Sequence, residues 1–422
     1  MNVLVIGGGA WVETSSLGNT FSNFFENWED TEFYNLYFRG TLPQNNVCDN
    51  YFSITDMSIL KNFFTPKNIG CRVQKKSQSK SVDVASREKK LISYIHKFNL
   101  KLVYNFEDFL WRTDKWKNEK LDEFLKEADS DIVFTFASGN SNIVRSVEYI
   151  KKNSGAKIVT FIADDVHNEY LNKHDKMGRR LEKNLDILFK ISDKIYGISE
   201  QMCEKYTVLT NKEVNLLKKG CKEFTPLKQT YELPLKIVYA GNLLYGRDKT
   251  LAQLAKELHR INSDSTKVQL EIYSGSEVSQ EMKNELEYEG TSLFMGECPY
   301  SEITEILRNA DVVLHAESFE DDNIELVKYS FSTKVIDCLQ SGNLVMAIGP
   351  ECVSSIKYTK LIPGAIVIDD KEKVFETVSG LVNESPDNWK LKAESIREFA
   401  LLNHDGNNNR KKLRAEFLEL MR

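Results

Sequence analysis

The chain has 422 residues, a length that suits two large domains. Its 41% hydrophobic and 28% charged residues exclude a disordered chain, and a formal net charge of −6 argues against nucleic-acid binding over a broad surface. No apolar run reaches the ~18 residues of a membrane-spanning helix, and the seven cysteines form no C-x-x-C pair, so we expect a cytoplasmic protein with reduced thiols, peripheral at most to the inner face of a membrane.

Short strand-like runs alternate with longer amphipathic stretches through the first half of the chain. The run NVLVIGG at 2–8 predicts a strand, and the helical spacing of apolar residues in SLGNTFSNFFENW predicts a helix after it. Three more strands are predicted at 131–139, 157–165 and 194–200. Strands that alternate with helices indicate a parallel sheet covered on both faces.

The same pattern restarts after a proline-bearing segment at 222–234, which we interpret as a linker. Strands are predicted at 235–243, 268–275, 310–317, 343–349 and 364–370. The sequence therefore predicts an α/β fold of two tandem Rossmann-like domains facing a cleft. We expect the first domain at 1–222 and the second at 235–402, with a terminal helix at about 403–422 that packs back on the first.

A glycine run, GGGAWVETSSLGN, follows the first predicted strand. Gly7, Gly8 and Gly9 allow a ligand to approach the backbone or the chain to turn tightly, and a helix start behind them can receive an anion. The run lacks the third glycine of a dinucleotide fingerprint, and Trp11 and Val12 would crowd a pyrophosphate. A ligand-binding loop and a plain strand-to-helix turn both stay open, and no bound cofactor is expected.

The stretch YAGNLLYGRDKT combines a strand end, a polar loop and two cations. Arg247 and Lys249 precede a helix predicted from leucine spacing. Two cations at a helix N-terminus oppose the helix dipole and cost roughly a few tenths of a kcal/mol each unless an anion binds there. The placement suits a diphosphate, and the alternative is two solvated loop charges.

The stretch SFSTKVIDCLQSG predicts a short helix that starts with small hydroxyl residues and ends at Gly342. Ser332 and Thr333 are expected to cap the helix start, where an anion can dock beside Lys334. Asp337 lies one turn later on the same face, where its carboxylate can accept hydrogen bonds from ribose hydroxyls. The alternative is an ordinary capped helix with an ion pair between residues three apart.

Taken in order, the stretches AGNLLYGRDK, ADVVLHAE and FSTKVIDCLQSGNLVMAIGP resemble the C-terminal donor domain of GT-B glycosyltransferases, in particular those of glycosyltransferase family 4. The stretches FIADDVH, SDKIYGISEQM and VNLLKKGCKEF extend the resemblance into the first half. The pattern covers most of the chain and is most specific at 239–249 and 329–350. It implies that a basic residue after the domain's first strand grips the donor diphosphate and that an acidic residue five positions before a glycine holds the nucleotide ribose.

The sequence departs from this family in the donor half. Asn242 stands where the family has an arginine, so the resemblance moves the diphosphate role to Arg247, with Lys249 as helper and with Ser332, Thr333 and Lys334 beside them. The ribose glutamate is Asp337, one methylene shorter.

A second departure concerns the contact with the donor sugar. Tyr329 stands where the family has a glutamate eight positions earlier, so this contact cannot be transferred to the chain. Glu317 and Glu325 are near Tyr329 in the sequence, and this nearness is the only reason to consider either as a replacement for the family glutamate.

In the acceptor half, the family often has His-Asp after the fourth strand, where this chain has Ala163, Asp164 and Asp165, with His167 two positions further. We expect Asp165 and His167 to be catalytic residues on the acceptor side. No metal site is expected. Glycosyltransferases of the other, metal-dependent fold rely on an isolated Asp-x-Asp after a strand, and neither Asp164-Asp165 nor the EDDN run at 320–323 supplies one.

Two stretches of the first half carry cations, the aromatic-rich FEDFLWRTDKWKN at 106–118 and the loop RVQKKSQSK at 72–80. They suit an anionic lipid-linked acceptor or a membrane interface. The alternative is a core helix with Trp111 buried and a flexible charged loop.

The resemblance implies a retaining, metal-independent glycosyltransferase that uses a UDP- or GDP-sugar. Its acceptor would be a polysaccharide, lipid-linked or protein-linked glycan of the cell surface. Two alternatives stay open. A sugar-nucleotide 2-epimerase needs several acids and histidines around the sugar, and the chain has only six histidines. A catalytically silent subunit that binds a partner enzyme is favoured by Tyr329 in place of the family glutamate.

Overall fold

The computed structural model describes residues 1–75, 100–167 and 175–422. The chain divides into two units, Met1–Leu217 with Arg410–Arg422, and Lys218–Asn409. The division after Leu217 precedes the segment 222–234 that the sequence analysis interprets as a linker. Each unit contains one sheet of mainly parallel strands with helices packed against it, which confirms the predicted α/β class and its two parallel-sheet domains.

The described residues of the first unit form eight strands. They are β1 (Asn2–Gly7), β2 (Glu32–Tyr37), β3 (Asn50–Ser53), β4 (Cys71–Val73), β5 (Ile132–Phe136), β6 (Lys157–Ile162), β7 (Lys194–Gly197) and β8 (Val214–Leu216). Its helices are α1 (Ser16–Phe25), α2 (Asp56–Lys61), α3 (Leu100–Arg112), α4 (Glu119–Ala128), α5 (Ser141–Asn153), α6 (Lys176–Ile191) and α7 (Glu200–Thr210). The strand order is β4-β3-β2-β1-β5-β6-β7-β8, and only the edge strand β4 runs antiparallel to its neighbour.

The second unit contains six parallel strands. They are β9 (Leu235–Ala240), β10 (Val268–Tyr273), β11 (Ser292–Gly296), β12 (Val312–Ala316), β13 (Leu344–Ile348) and β14 (Ile366–Ile368), in the order β11-β10-β9-β12-β13-β14. Its helices are α8 (Arg247–Ile261), α9 (Gln280–Leu286), α10 (Tyr300–Arg308), α11 (Asp321–Val327), α12 (Lys334–Gln340), α13 (Ser354–Thr359), α14 (Val374–Val382) and α15 (Pro386–His404). The last helix, α16 (Gly406–Leu420), starts in the second unit and belongs to the first from Arg410 onward.

Every strand that the sequence predicts is present, and each is shorter than its predicted range. Five strands of the described part were missed. The strands β2, β3 and β11 contain no β-branched residue, while β4 and β8 have only three residues each. In β2 the central Asn35 contradicts a strand pattern, yet its buried amide donates to Val5 O (2.9 Å) and accepts from Trp11 N (3.1 Å). A polar side chain is tolerated inside a sheet when both of its groups are paired in this way.

An aromatic cluster forms part of the first unit's core, and the chain's last helix completes it. Phe25 packs edge-on against Phe134 of β5 with ring centroids 5.0 Å apart. Phe417 of α16 is fully buried and contacts Trp28 at 5.4 Å. Arg410 at the start of this segment donates to Asn23 O (3.3 Å). The segment 410–422 is therefore part of the first unit's core.

Replacing Phe417 by Ala should lower the free energy of unfolding of the first unit by about 3–5 kcal/mol, because a buried aromatic ring is lost and a cavity remains. Urea unfolding followed by tryptophan fluorescence measures this, since Trp11, Trp28, Trp111 and Trp116 lie in the first unit. Met421→Ala is the control, because Met421 is 36% exposed. Equal midpoints for both variants would contradict the packing of the last helix.

Candidate active site

The candidate site lies at the carboxyl ends of β9 and β12. The chain runs from β9 to β10 and β11 on one side and returns to β12 on the other side of β9. A switch of this kind opens a crevice where α/β proteins bind ligands. The loop 241–246 after β9 ends in two left-handed residues, Tyr245 (φ 59°) and Gly246 (φ 70°). A Cβ on Gly246 would lie 2.5 Å from Ser318 Oγ, so the turn requires glycine.

Arg247, the first residue of α8, is held in a buried ion pair with Glu317 directly after β12. Its Nη2 donates to both carboxylate oxygens (2.8 and 3.1 Å), and its Nε donates to Oε2 (3.1 Å). Its Nη1 donates to Asn242 Oδ1 (2.7 Å). Arg247 is only 8% exposed. The guanidinium that the sequence predicts to bind the diphosphate is therefore largely occupied by a carboxylate, and what it still offers to a ligand is its remaining N–H groups.

Two further side chains support the Glu317 carboxylate. The imidazole Nε2 of His315 lies 2.9 Å from Ser355 Oγ and 3.4 Å from Glu317 Oε1, and the Ser355 hydroxyl hydrogen-bonds to the carboxylate. Burial, then the charges of Lys334 and Arg247, lower the pKa of His315 to about 3, so its ring is neutral. Burial raises the pKa of Glu317, and the adjacent guanidinium opposes this shift. The pairing favours the charged carboxylate.

Lys334, the first residue of α12, reaches the loop after β9. A Cβ on Gly241 would lie 2.6 Å from Lys334 Nζ, so the ammonium group lies directly against this glycine. Burial, then the neighbouring Arg247, lower the pKa of Lys334 to about 8. An anion bound here would favour the charged form of the lysine.

The start of α12 differs from the prediction in one respect. Thr333 occupies the N-cap position in a helical backbone conformation, and its side chain makes no capping hydrogen bond. The expected hydroxyl cap is therefore wrong, because a cap side chain reaches the free amides only from an extended backbone. Ser332 O instead accepts from Val335 N (3.1 Å). Gly342 ends this helix region as predicted, with φ 83°.

Asp337, the predicted ribose ligand, faces a lysine from another segment. Lys219 Nζ lies 3.7 Å from Asp337 Oδ1, and Lys219 is itself 8% exposed. Burial raises the pKa of Asp337, and Lys219 and Lys334 oppose this shift. The ion pair between residues three apart, which the sequence leaves open, is thus replaced by a pair with Lys219.

These side chains carry unequal charge. The interacting set contains three cations, Arg247, Lys334 and Lys219, and two carboxylates, Glu317 and Asp337, which leaves one positive charge in excess. Arg247 and Lys219 each have a carboxylate within 4 Å, and the excess therefore resides at Lys334. A largely desolvated positive charge at a switch point is an electrostatic site for an anion.

Lys249, the expected helper, lies outside this group. Its ammonium pairs with Glu320, and its side chain is 64% exposed. The hydrogen bond to Glu320 raises the pKa of Lys249. In this structure Lys249 is a solvated charge, as the alternative interpretation of the loop has it.

The glycine run of the first unit lies at a corresponding switch point, between β1 and β5. A Cβ on Gly7 would lie 2.9 Å from Gly9 O, so the turn leaves no room for a side chain there. Gly8 faces Phe136 at the end of β5, and Gly9 lies beside Thr41 and the exposed Arg39 that follows β2. The loop thus presents bare backbone next to one exposed cation.

Trp11 does not crowd this loop, contrary to expectation. Its indole is 2% exposed, and its Nε1 donates to Gly18 O (3.1 Å) and Ser22 Oγ (2.9 Å). The ring turns inward because the core offers it both apolar contacts and partners for its N–H group.

The predicted acceptor-side residues are held by other side chains. Asp165 is 7% exposed, pairs with Lys205 Nζ (2.6 Å) and accepts from the Tyr206 hydroxyl (3.0 Å). His167 Nε2 lies 3.6 Å from Glu182 Oε1, while its buried Nδ1 has no hydrogen-bond partner in the described part of the chain. Both catalytic assignments remain predictions.

One group of buried acids in the first unit was not singled out from the sequence. Glu107 accepts from Asn142 Nδ2 (3.1 Å), and burial, then the charge of Asp56, raise the pKa of Glu107 to about 7. The adjacent Asp108 accepts from Ser141 Oγ (2.5 Å). The partners lie 35 and 33 residues along the chain, so no local pattern shows them.

Within the described residues, no group of three or more His, Cys, Asp or Glu side chains is placed to hold a metal ion. The EDDN run belongs largely to α11, with Glu320 directly before it.

No protein-family model matches the sequence, and no curated protein matches it. Solved structures do match over nearly the full chain. Sucrose-phosphate synthase from Thermosynechococcus elongatus is 12% identical with a TM-score of 0.62, and the match covers 99% of this chain and 98% of that one.

Two further structures match in the same way. An α,α-trehalose-phosphate synthase (UDP-forming) from Burkholderia xenovorans in complex with glucose-6-phosphate is 7% identical (TM-score 0.56), with 99% of this chain and 100% of that chain covered. An E. coli trehalose-6-phosphate structure bound with UDP-2-fluoro glucose is 11% identical (TM-score 0.60), with 98% of both chains covered. The likeness is one of fold, and it confirms the GT-B architecture that the sequence resemblance implies. The narrower assignment to glycosyltransferase family 4 remains a prediction.

Replacing Glu317 by Ala should destabilise the second unit by about 3–5 kcal/mol, because Arg247 is left buried without a counter-charge. Adding Arg247→Met should restore much of the loss, since it removes the stranded charge and keeps apolar volume. Urea unfolding of the single and double variants measures this.

Glu320→Ala is the matched control for Glu317→Ala. It removes the exposed partner of Lys249, and stability should stay unchanged. If Glu317→Ala behaves like Glu320→Ala, the buried pair does not stabilise the unit.

Proposed function

We propose that this chain is a glycosyltransferase that transfers a sugar from a nucleoside-diphosphate sugar to an acceptor hydroxyl, with the donor diphosphate bound beside Lys334. One observation carries the proposal: Lys334 Nζ lies against the bare backbone of Gly241 at the carboxyl ends of β9 and β12, among side chains whose formal charges leave one positive charge in excess. The GT-B fold supports the proposal, because one of the similar solved structures is bound with UDP-2-fluoro glucose.

In this proposal Lys334 contacts the diphosphate directly, and Arg247 contributes through its remaining N–H groups. As the sugar departs, negative charge builds on the diphosphate, and a preset cation stabilises it without reorganisation. Lys334 is the first residue of α12, and its side chain already lies against Gly241 in the structure. The charge is thus neutralised by side chains, and we expect transfer to persist in EDTA.

The ribose remains assigned to Asp337, which lies one turn after Lys334 on α12. Its pairing with Lys219 favours the charged carboxylate against the effect of burial, and a charged carboxylate suits an acceptor of hydroxyl hydrogen bonds. Glu317 does not replace the family glutamate absent at Tyr329, because its carboxylate is used by Arg247. Retention of configuration stays an expectation, tested by NMR of the product's anomeric proton.

For the acceptor, we propose a phosphorylated sugar in preference to the cell-surface glycan that the sequence resemblance implied. The solved neighbours are named for sucrose-phosphate and trehalose-phosphate synthesis, and one holds glucose-6-phosphate. In this chain, the first unit's switch point presents Arg39 next to the glycine run. A guanidinium beside glycine backbone that carries no side chains suits a phosphate group.

Purified protein should release nucleoside diphosphate from UDP-glucose or a GDP-sugar only when an acceptor is present. Hexose phosphates should act as acceptors, and Arg39→Ala should raise KM for them about tenfold or more while leaving KM for the donor unchanged, because a charged hydrogen bond is worth about 1.5–3 kcal/mol. Coupled detection of the released diphosphate measures both.

Arg308→Ala, an exposed arginine of the second unit, is the control. Transfer only to glycan or lipid-linked acceptors would overturn the acceptor proposal and keep the enzyme class. No transfer despite nucleotide binding would favour the catalytically silent subunit, and epimerised donor without transfer would favour the 2-epimerase.

Binding of a nucleoside diphosphate should take up a proton near pH 8. The free protein holds Lys334 partly neutral there because its pKa is lowered to about 8, and the bound anion favours the charged form. Affinity should be pH-independent below that pKa and fall by up to about tenfold per unit above it. Titration calorimetry in two buffers of different ionisation enthalpy measures the proton uptake.

Lys334→Arg is the matched variant, because a guanidinium stays charged throughout this range. Its affinity should show no such decline between about pH 7.5 and 9.5. A decline of equal slope in both proteins would show that another group titrates and would remove Lys334 from the diphosphate site.

A further inference from the structure

Two exposed apolar stripes lie on helices α2 and α3, which pack against each other in the first unit. On α2 and the turn after it, Met57, Leu60 and Phe64 recur at helical spacing and are 40%, 44% and 93% exposed. On α3, Phe106 and Phe109 are 46% and 57% exposed. Large apolar side chains concentrated in this way mark a surface that contacts something other than water.

The charges exposed around these stripes are mostly positive. Lys61 and Lys67 are exposed beside the first stripe. Arg112 continues the second stripe with a side chain that is 63% exposed and that pairs with Asp108 at 3.6 Å. Lys115 Nζ lies over the ring of Phe63, 5.6 Å from its centroid. This basic rim contrasts with the chain's net charge of −6.

The acidic side chains of the same helices mostly face inward. Asp56 accepts from Trp111 Nε1 (2.7 Å), and Asp108 accepts from Ser141 Oγ. Glu107 is engaged by Asn142. Asp114, shortly after α3, is exposed, and Lys117 pairs with it at 2.8 Å. The outer face of the two helices therefore combines apolar side chains with cations.

We propose that this face of α2 and α3 docks on an anionic lipid surface. The apolar side chains project from the outer faces of two helices, and a basic rim around exposed Phe and Leu is the pattern of interfacial helices. The contact is peripheral, since no helix in the described ranges is long and apolar enough to cross a bilayer. The inference is independent of the proposed transferase activity.

The inner faces of the helices hold the stripes in place. Trp111 is fully buried and packs against Trp116 with the rings tilted and their centroids 5.2 Å apart. Ile59 on α2 is also fully buried. A surface on preformed, packed helices binds without an ordering cost. The basic stretch at 72–80 is not counted as part of this surface. Arg72 pairs with Glu127, and residues 76–80 lie outside the described part of the chain.

Vesicle co-sedimentation of the full chain tests the proposal. The protein should partition to phosphatidylcholine vesicles that contain phosphatidylglycerol, much less to phosphatidylcholine alone, and less as salt is raised. The double variant Phe64→Ser, Phe109→Ser should lower partition about tenfold or more. Lys61→Gln and Lys67→Gln should each lower it about fivefold on the anionic vesicles only.

Matched controls lie elsewhere on the chain. Leu402→Ser and Val208→Ser replace apolar residues that are 85% and 82% exposed, and Lys357→Gln removes an exposed lysine of the second unit. All three should bind vesicles like the unaltered chain. Equal loss in these controls, or no binding to anionic vesicles, would overturn the proposal. Concentration-dependent self-association without vesicle binding, abolished by the double Phe variant, would assign the surface to a second copy or a protein partner instead.

Discussion

The buried ion pair between Arg247 and Glu317 joins the parts of the second unit on which the candidate site depends. It connects the start of α8 to the end of β12, and through Ser355 it reaches α13 after β13. A guanidinium at this depth requires a carboxylate, and the carboxylate in turn requires further donors. Because the pair neutralises itself, Lys334 is left as the charge that a ligand can satisfy. The electrostatic character of the site thus follows from which cation is paired and which is not.

The two sheets have the same reversal of strand order beside their first strand but differ in what lies there. The second sheet carries side chains that are already paired or packed, and such a site suits a ligand with fixed, concentrated charge. The first sheet carries bare backbone at Gly7–Gly9 with Arg39 beside it. Backbone without side chains can be approached by hydroxyls or by phosphate alike, so this edge selects its ligand less strictly. Under the proposed function, the site in the second unit is preset for the donor, and the glycine edge of the first unit is more permissive toward the acceptor.

The sequence predicted the alternation of strands and helices, the restart of the pattern and the short helix that ends near Gly342, because each is recorded in local periodicity or turn chemistry. The sequence also predicted that Arg247, Lys334 and Asp337 lie in the same domain. Local patterns could not show their partners. Glu317 is 70 residues along the chain from Arg247, and Lys219, the partner of Asp337, is the second residue of the unit in sequence. The hydroxyl cap failed for a related reason, because a cap depends on one backbone angle that residue type alone does not determine.

The position of Phe417 has a consequence for biosynthesis. Residues Met1–Leu217 emerge first from the ribosome, yet the core of that unit includes a ring that follows the whole of Lys218–Asn409. Until that ring arrives, Trp28 and Phe134 lack one of their packing partners. The first unit is thus synthesised first and completed last, while the second unit is free to fold as soon as it is made. Nascent chains therefore pass through a stage in which the aromatic core of the first unit is incomplete, and such a stage is open to chaperone binding.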